Sequence, residues 1–268
     1  MSLRAIAFAN RALQASAGSS EALSLRGFAR AWLGSMPGMP GADKLLRQGE
    51  ADLRAALDDR PNDARSLYAL GDLLFLDGRF AESNVALQNA YSADAFLVEV
   101  RAVVNLLFFV SLNREQFTEA GEWCRVGQQR FAGDPRFGAC QLILLGWTGS
   151  RQQDVGESWH QLQALERVDS LGIYSSQWGS FRMLTAMVAA RAGLRDSANA
   201  IMRAIHADAA AHPGSSFRTV EAGVRMLLGE PQAALGLLAE ELREDPLARG
   251  QLVRSPWFRA IATHSTLR

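Results

Sequence analysis

A helical unit recurs in this chain at a spacing of 34 residues, and that period limits the possible folds more than any other feature. Leu53, Ala56 and Leu57 return in kind as Leu87, Ala90 and Tyr91, with Pro61 between the two copies. A helix-turn-helix unit of this size cannot bury its apolar face alone and does so only by stacking on a neighbour. The period therefore predicts a stack of such units in an all-α chain. At 268 residues a compact globule would approach the upper limit for one core, a limit that stacking removes.

Residues 63–94 show the unit most clearly. Asp63 is suited to cap a helix N-terminus, and Leu67, Leu70, Leu73 and Leu74 follow at helical spacing. Gly71 permits a close crossing, Asp77-Gly78 ends the helix, and Phe80 opens a second one carrying Ser83, Leu87 and Ala90. The same turn signal recurs at Gln116–Ala120, at Gly193–Ala198 and at Gly229–Ala234, with the last two glycines 36 apart. Asp59-Arg60-Pro61, Asp134-Pro135 and Asp245-Pro246 mark repeat ends, because proline cannot continue the preceding helix.

These signals predict about thirteen helices and no strands. A lone helix spans about 3–17. Pairs follow at 20–60, 63–94, 96–131, 136–168, 175–211 and 215–245, and a closing helix at about 247–264 presents Trp257, Phe258 and Ile261 to the open end of the core. The domain reading is one stack over 1–268, with an incomplete first repeat at 1–19, six pairs over 20–246 and a cap at 247–268. The segment 35–41, Ser-Met-Pro-Gly-Met-Pro-Gly, reads as a loop inserted into the first pair. The start, Met1-Ser2-Leu3 running straight into a helix, suits equally a natural beginning and one domain cut from a longer protein.

Charge excludes some partners. Basic and acidic residues balance at 28 each and the pI is near 6.9, so nothing points to nucleic acid or an anionic membrane surface. Lys44 is the single lysine; the arginine excess is what a GC-rich genome gives, and no local pattern marks those arginines as forks for an external anion. The most apolar stretch, Phe96–Leu112, contains Glu99, Arg101 and Asn105 and is too short and polar to insert in a membrane. With no export signal, the expected location is cytoplasmic. Cys124 and Cys140, 16 apart in apolar helical contexts, then read as small buried hydrophobes of a reduced protein.

The unit resembles the tetratricopeptide repeat, whose pattern is W-x2-L-G-x2-Y, then A-x3-F, then A and P. Here it is Leu67-x2-Leu70-Gly71-x2-Leu74, then Ser83-x3-Leu87, then Ala90, with Ala95 in the place of the proline. The match is strong over 42–94, moderate over 183–246 and weak over 97–170. Leu23-x-Leu25-Arg26-Gly27, Ala51–Ala56 and Ala93–Leu97 also look like the helical repeat regions attached to bacterial serine/threonine protein kinases. The resemblance implies a right-handed α-solenoid of antiparallel pairs whose first helices line a concave groove.

That groove is where function is expected. Helical spacing places Glu21, Ser24, Phe28 and Trp32 on one stripe, and Arg65, Tyr68, Asp72 and Phe75 on the next, with Ser180, Met183 and Met187 later. Polar groups beside Phe28 and Phe75 suit a peptide of mixed character, although an ordinary solvated face has the same composition. The Lys and Asn pattern by which some tetratricopeptide proteins clamp a C-terminal carboxylate is missing, since Asp72 and Leu106 hold two of its Asn places. Most of the six tryptophans fall on apolar stripes and read as core.

No chemistry is legible. Gly38–Lys44 lacks the spacing of a phosphate loop, and no nucleophile elbow or kinase motif is present. His206 and His212 are too far apart on one helix to share a metal, and His160 reads as structural. The expectation is a non-catalytic module without cofactor or metal that binds a protein or peptide. The alternatives are a regulatory domain sensing a small molecule within the superhelix, and self-association through the 35–41 loop or the incomplete first repeat.

Overall fold

A computed structural model describes residues 2–16, 18–36, 38–168, 177–211 and 217–267. All regular structure among them is helical, and neighbouring helices pack as in a helical repeat. The chain forms two compact units, 1–110 and 111–268.

The first unit holds α1 (Ser2–Ala15), α2 (Ser20–Gly34), α3 (Ala42–Asp59), α4 (Ala64–Leu76), α5 (Phe80–Ala93) and most of α6 (Val100–Asn113). Helices α2 and α3 pack on each other, α4 and α5 form the next pair, and α2 and α3 both touch α4. Asp63 caps α4, accepting a hydrogen bond from the Ser66 backbone N–H at 3.0 Å. Leu70, Leu74, Leu87 and Ala90 are buried, the last two completely. Gly71 meets Leu87 so closely that a Cβ there would lie 2.6 Å from Leu87 Cγ. Ser83, also fully buried, donates its hydroxyl to the Gly71 carbonyl at 2.7 Å. Gly71 and Ser83 are thus one device, a backbone-to-side-chain lock between α4 and α5.

A buried charge cluster ties α2 to α3. Asp52, 6% exposed, accepts both nitrogens of an Arg26 fork at 2.9 and 2.6 Å and Arg30 at 2.5 Å. At the next interface Arg79 forks onto Glu82 at 2.8 and 2.7 Å and reaches Glu50 at 2.8 Å. Several arginines therefore serve as forks for the protein's own carboxylates.

The second unit begins with the end of α6 and holds α7 (Phe117–Arg130), α8 (Pro135–Gly138), α9 (Cys140–Thr148), α10 (Gln152–Val168), α11 (Trp178–Arg191), α12 (Arg195–Ala211), α13 (Arg218–Leu227), α14 (Pro231–Glu244) and α15 (Arg249–Arg254). Helix α11 is its centre, packed by α9, α10, α12 and α13. The turns opening α5, α7, α12 and α14 share one geometry. Each closes with an N–H bonded five residues back, Arg79 to Leu74, Gln116 to Ser111, Leu194 to Ala189 and Glu230 to Arg225. The residue before each donor takes a left-handed φ: Gly78, Gly193 and Gly229 in three copies, and Glu115 at +60° in the fourth.

Several expectations are corrected. Cys124 and Cys140 are not free thiols: they are joined in a disulfide that links α7 to α9. Two apolar, buried contexts look alike whether the sulfurs are paired or not, which is why spacing alone misled. The closing helix is absent as one piece. Ser255 is extended ahead of Pro256, so α15 stops and Pro256–Ile261 continues as a 3-10 segment. Phe258 and Ile261 are nonetheless buried in the terminal core with Leu238 and Leu242. Only Trp147 among the tryptophans is buried outright, while Trp32 and Trp159 are 48% and 38% exposed. His160 is exposed, and His206 lies 3.0 Å from the buried Glu221 carboxylate; His212 falls outside the described residues.

Two outcomes follow for stability. Leu87→Ala should cost roughly 2–5 kcal/mol in chemical denaturation, as for a fully buried leucine. The Cys124→Ser/Cys140→Ser protein should lose roughly 3 kcal/mol, the loop-closure value for a span of this length, and thiol counting on the denatured parent should find no free thiol until reductant is added.

Candidate functional site

The first unit carries a cleft of about 630 Å³ at the N-terminal ends of α2 and α4, closed by the ends of α3 and α5 and by Leu97 and Glu99 before α6. It forms because α2 and α4 start side by side while the chain must turn at 60–63 and again at 94–99. The turns expose polar backbone and side chains where the helices would otherwise seal the surface.

Its polar groups largely satisfy one another. Arg60 donates to Glu21 at 2.6 Å, and Arg65 stands 3.6 Å from Glu99. Ser66 donates to the Ser24 hydroxyl at 2.6 Å, and Ser24 donates on to Asp63 at 3.3 Å. Burial pushes the Asp63 carboxyl up, but the hydrogen bonds from Ser66 and Ser24 and the Arg60 charge outweigh it and hold the group below its usual range. Acids exceed bases along the wall: Glu21, Asp63, Asp94 and Glu99 against Arg60 and Arg65. Glu99 Oε2 is buried and accepts no hydrogen bond. Beside this wall the chain leaves Phe96 89% and Val98 85% exposed.

The expected groove residues divide. Phe28 and Arg65 line the cleft, as do Glu21 and Ser24. Phe28 also packs on the core formed by Leu53, Leu70 and Leu74. Trp32 stands half exposed one turn beyond Phe28 on α2, outside the cleft. Tyr68, Asp72 and Phe75 are half-buried on the less buried face of α4, also outside it, and the Phe75 ring packs on Phe80 with centroids 5.7 Å apart. In the second unit the expected groove positions Met183 and Met187 are fully buried. Helix α11 is covered on almost every side, so its first-helix register offers no open stripe there. Arg60, Asp63, Leu97 and Glu99 join the wall from inter-helix turns, which helical spacing does not bring together.

In this cleft the Asp63 carboxylate is engaged by the Ser66 backbone N–H and the Ser24 hydroxyl. Among the described residues no group of three or more His, Cys, Asp or Glu could hold a metal ion, and no helix is long and apolar enough to cross a membrane. No protein-family model matches the sequence, and no curated protein matches it.

Asp72 gives a pH test of this face. Burial without a compensating charge pushes its carboxyl up to about 6. A raised acid stabilises the fold while protonated, so its contribution is full below the unfolded value of 3.8 and is lost as pH rises through about 6. Relative to Asp72→Asn, the parent should lose up to roughly 3 kcal/mol across that window, measured by denaturation at each pH.

Proposed function

We propose that the chain is a non-catalytic interaction module of the tetratricopeptide type, a right-handed helical-repeat scaffold or sensory region of the kind attached to bacterial signalling kinases. It takes a peptide segment or protein surface in the cleft of the first unit. The observation that carries this reading is the pairing of an acid-rich cleft with two large, exposed apolar side chains, Phe96 and Val98, on either side of its lining residue Leu97. Apolar side chains left in water next to a polar wall mark an interaction surface more than a solvated one. The excess of carboxylates along the wall favours a partner with basic groups as well as apolar ones. Tyr68 and Arg65 on α4 extend the contact along the same helix, and both residue types are common among interface hot spots.

An array of immobilised peptides tests this directly. Segments rich in Arg and Leu should bind, and segments of equal apolar content with Glu in place of Arg should not. Phe96→Ser/Val98→Ser should weaken the best peptide at least about tenfold without changing stability, because both side chains are already exposed. Tyr68→Ala should cost roughly 2 kcal/mol of binding. Retention indifferent to peptide charge and to all of these changes would overturn the reading.

A further inference from the structure

The second unit holds a separate cavity of about 600 Å³ where α9, α11 and α13 end, walled by Phe117, Trp147, Met226, Pro256 and Trp257. The Trp147 and Trp257 rings pack with centroids 4.5 Å apart. Into this space, lined by polar and apolar surface in nearly equal measure, comes one guanidinium, Arg191, the last residue of α11. Its Nε is covered and donates to nothing. Among the described residues it forms no ion pair, and burial without a countercharge pulls its pKa down. A buried guanidinium N–H with no acceptor is costly, and an anion entering the cavity would supply one.

A second feature concerns Glu115. It is the one non-glycine residue with left-handed φ among those described, at the turn position where the other three copies carry glycine. That strained position sets Glu115 in the cavity wall, where Arg259 meets its carboxylate at 2.7 Å. Glu115 and Arg259 cancel, so Arg191 is the single uncompensated charge. One net positive charge beside apolar rings suits a monoanion on an apolar body better than inorganic phosphate, which gains nothing from the rings. A planar fork between aromatic walls matches a carboxylate on an apolar, ring-bearing body.

We infer that this cavity binds a small aromatic monocarboxylate, with Arg191 forking the carboxylate and Trp147, Trp257 and Phe117 enclosing the ring. The site lies wholly in the second unit and is independent of the peptide reading.

Calorimetry on the full chain tests the inference with indole-3-acetate and phenylacetate, with indole-3-acetamide and inorganic phosphate as contrasts, up to about 10 mM so that even millimolar binding is seen. The two acids should bind saturably at one site per chain. The amide should bind about tenfold or more weaker, as expected for loss of a charge-assisted hydrogen bond, and phosphate should not compete. Arg191→Met should reduce acid binding to the level of the amide, and Arg191→Lys, which keeps the charge but not the fork, should fall between. Glu115→Gly relieves the strained turn, so folding is not at risk, and should tighten acid binding by removing the opposing carboxylate. Equal binding of acid and amide, tighter binding of phosphate, no saturable binding of either acid, or weaker acid binding in Glu115→Gly would each overturn the proposal.

Discussion

The close approach of a glycine backbone to a leucine side chain is the contact on which the helical pairs depend. At Gly71 the Leu87 side chain occupies the place of a Cβ, and at Gly27 the Leu53 side chain does the same, 2.7 Å from where that carbon would sit. Each glycine gives up helix propensity, a loss of about 1 kcal/mol against alanine. The gain is an interface near enough for a leucine to be sealed completely: Leu53 and Leu87 are both 0% exposed. The polar devices gather around these crossings. Ser83 bonds the Gly71 carbonyl, and the Asp52 clamp lies one residue before Leu53. Such buried polar contacts add little net energy but fix which turn of one helix meets which turn of the other.

The helical architecture was legible because its signals are local. The Asp63 cap, the apolar stripe of α4 and the Asp77-Gly78 stop each lie within one turn of the residues they act on, and the structure reproduces them. Places where reading failed involve partners far apart in sequence. Nothing within a turn of Cys124 announces Cys140, and nothing near Met183 says that four helices will enclose α11. The break before Pro256 is a local signal that apolar periodicity overrode, since Trp257, Phe258 and Ile261 suit a 3-10 segment as well as an α-helix.

The candidate sites were legible only in part, for a related reason. Helical spacing finds residues that share a stripe, and two of those residues, Phe28 and Arg65, line the cleft. It is blind to residues that converge from turns. Arg60, Asp63, Leu97 and Glu99 come from two inter-helix connections, and the cavity around Arg191 is assembled from helix ends spread over more than a hundred positions. The one sequence clue to the second cavity was a missing glycine. The Glu115-Gln116-Phe117 turn matches the others in all but the residue that must take positive φ.

The Cys124–Cys140 bridge bears on where the chain can reside. Glutathione and thioredoxin keep cytoplasmic thiols reduced, whereas a bridge endures in a periplasm or outside the cell. A covalent tie of this kind is rare as a resting state in a reducing cytoplasm. In a reducing compartment α7 would be held to α9 by packing alone, with the Leu144 side chain against Gly121. Thiol trapping in living cells would thus report the compartment itself, through the oxidation state of two buried sulfurs.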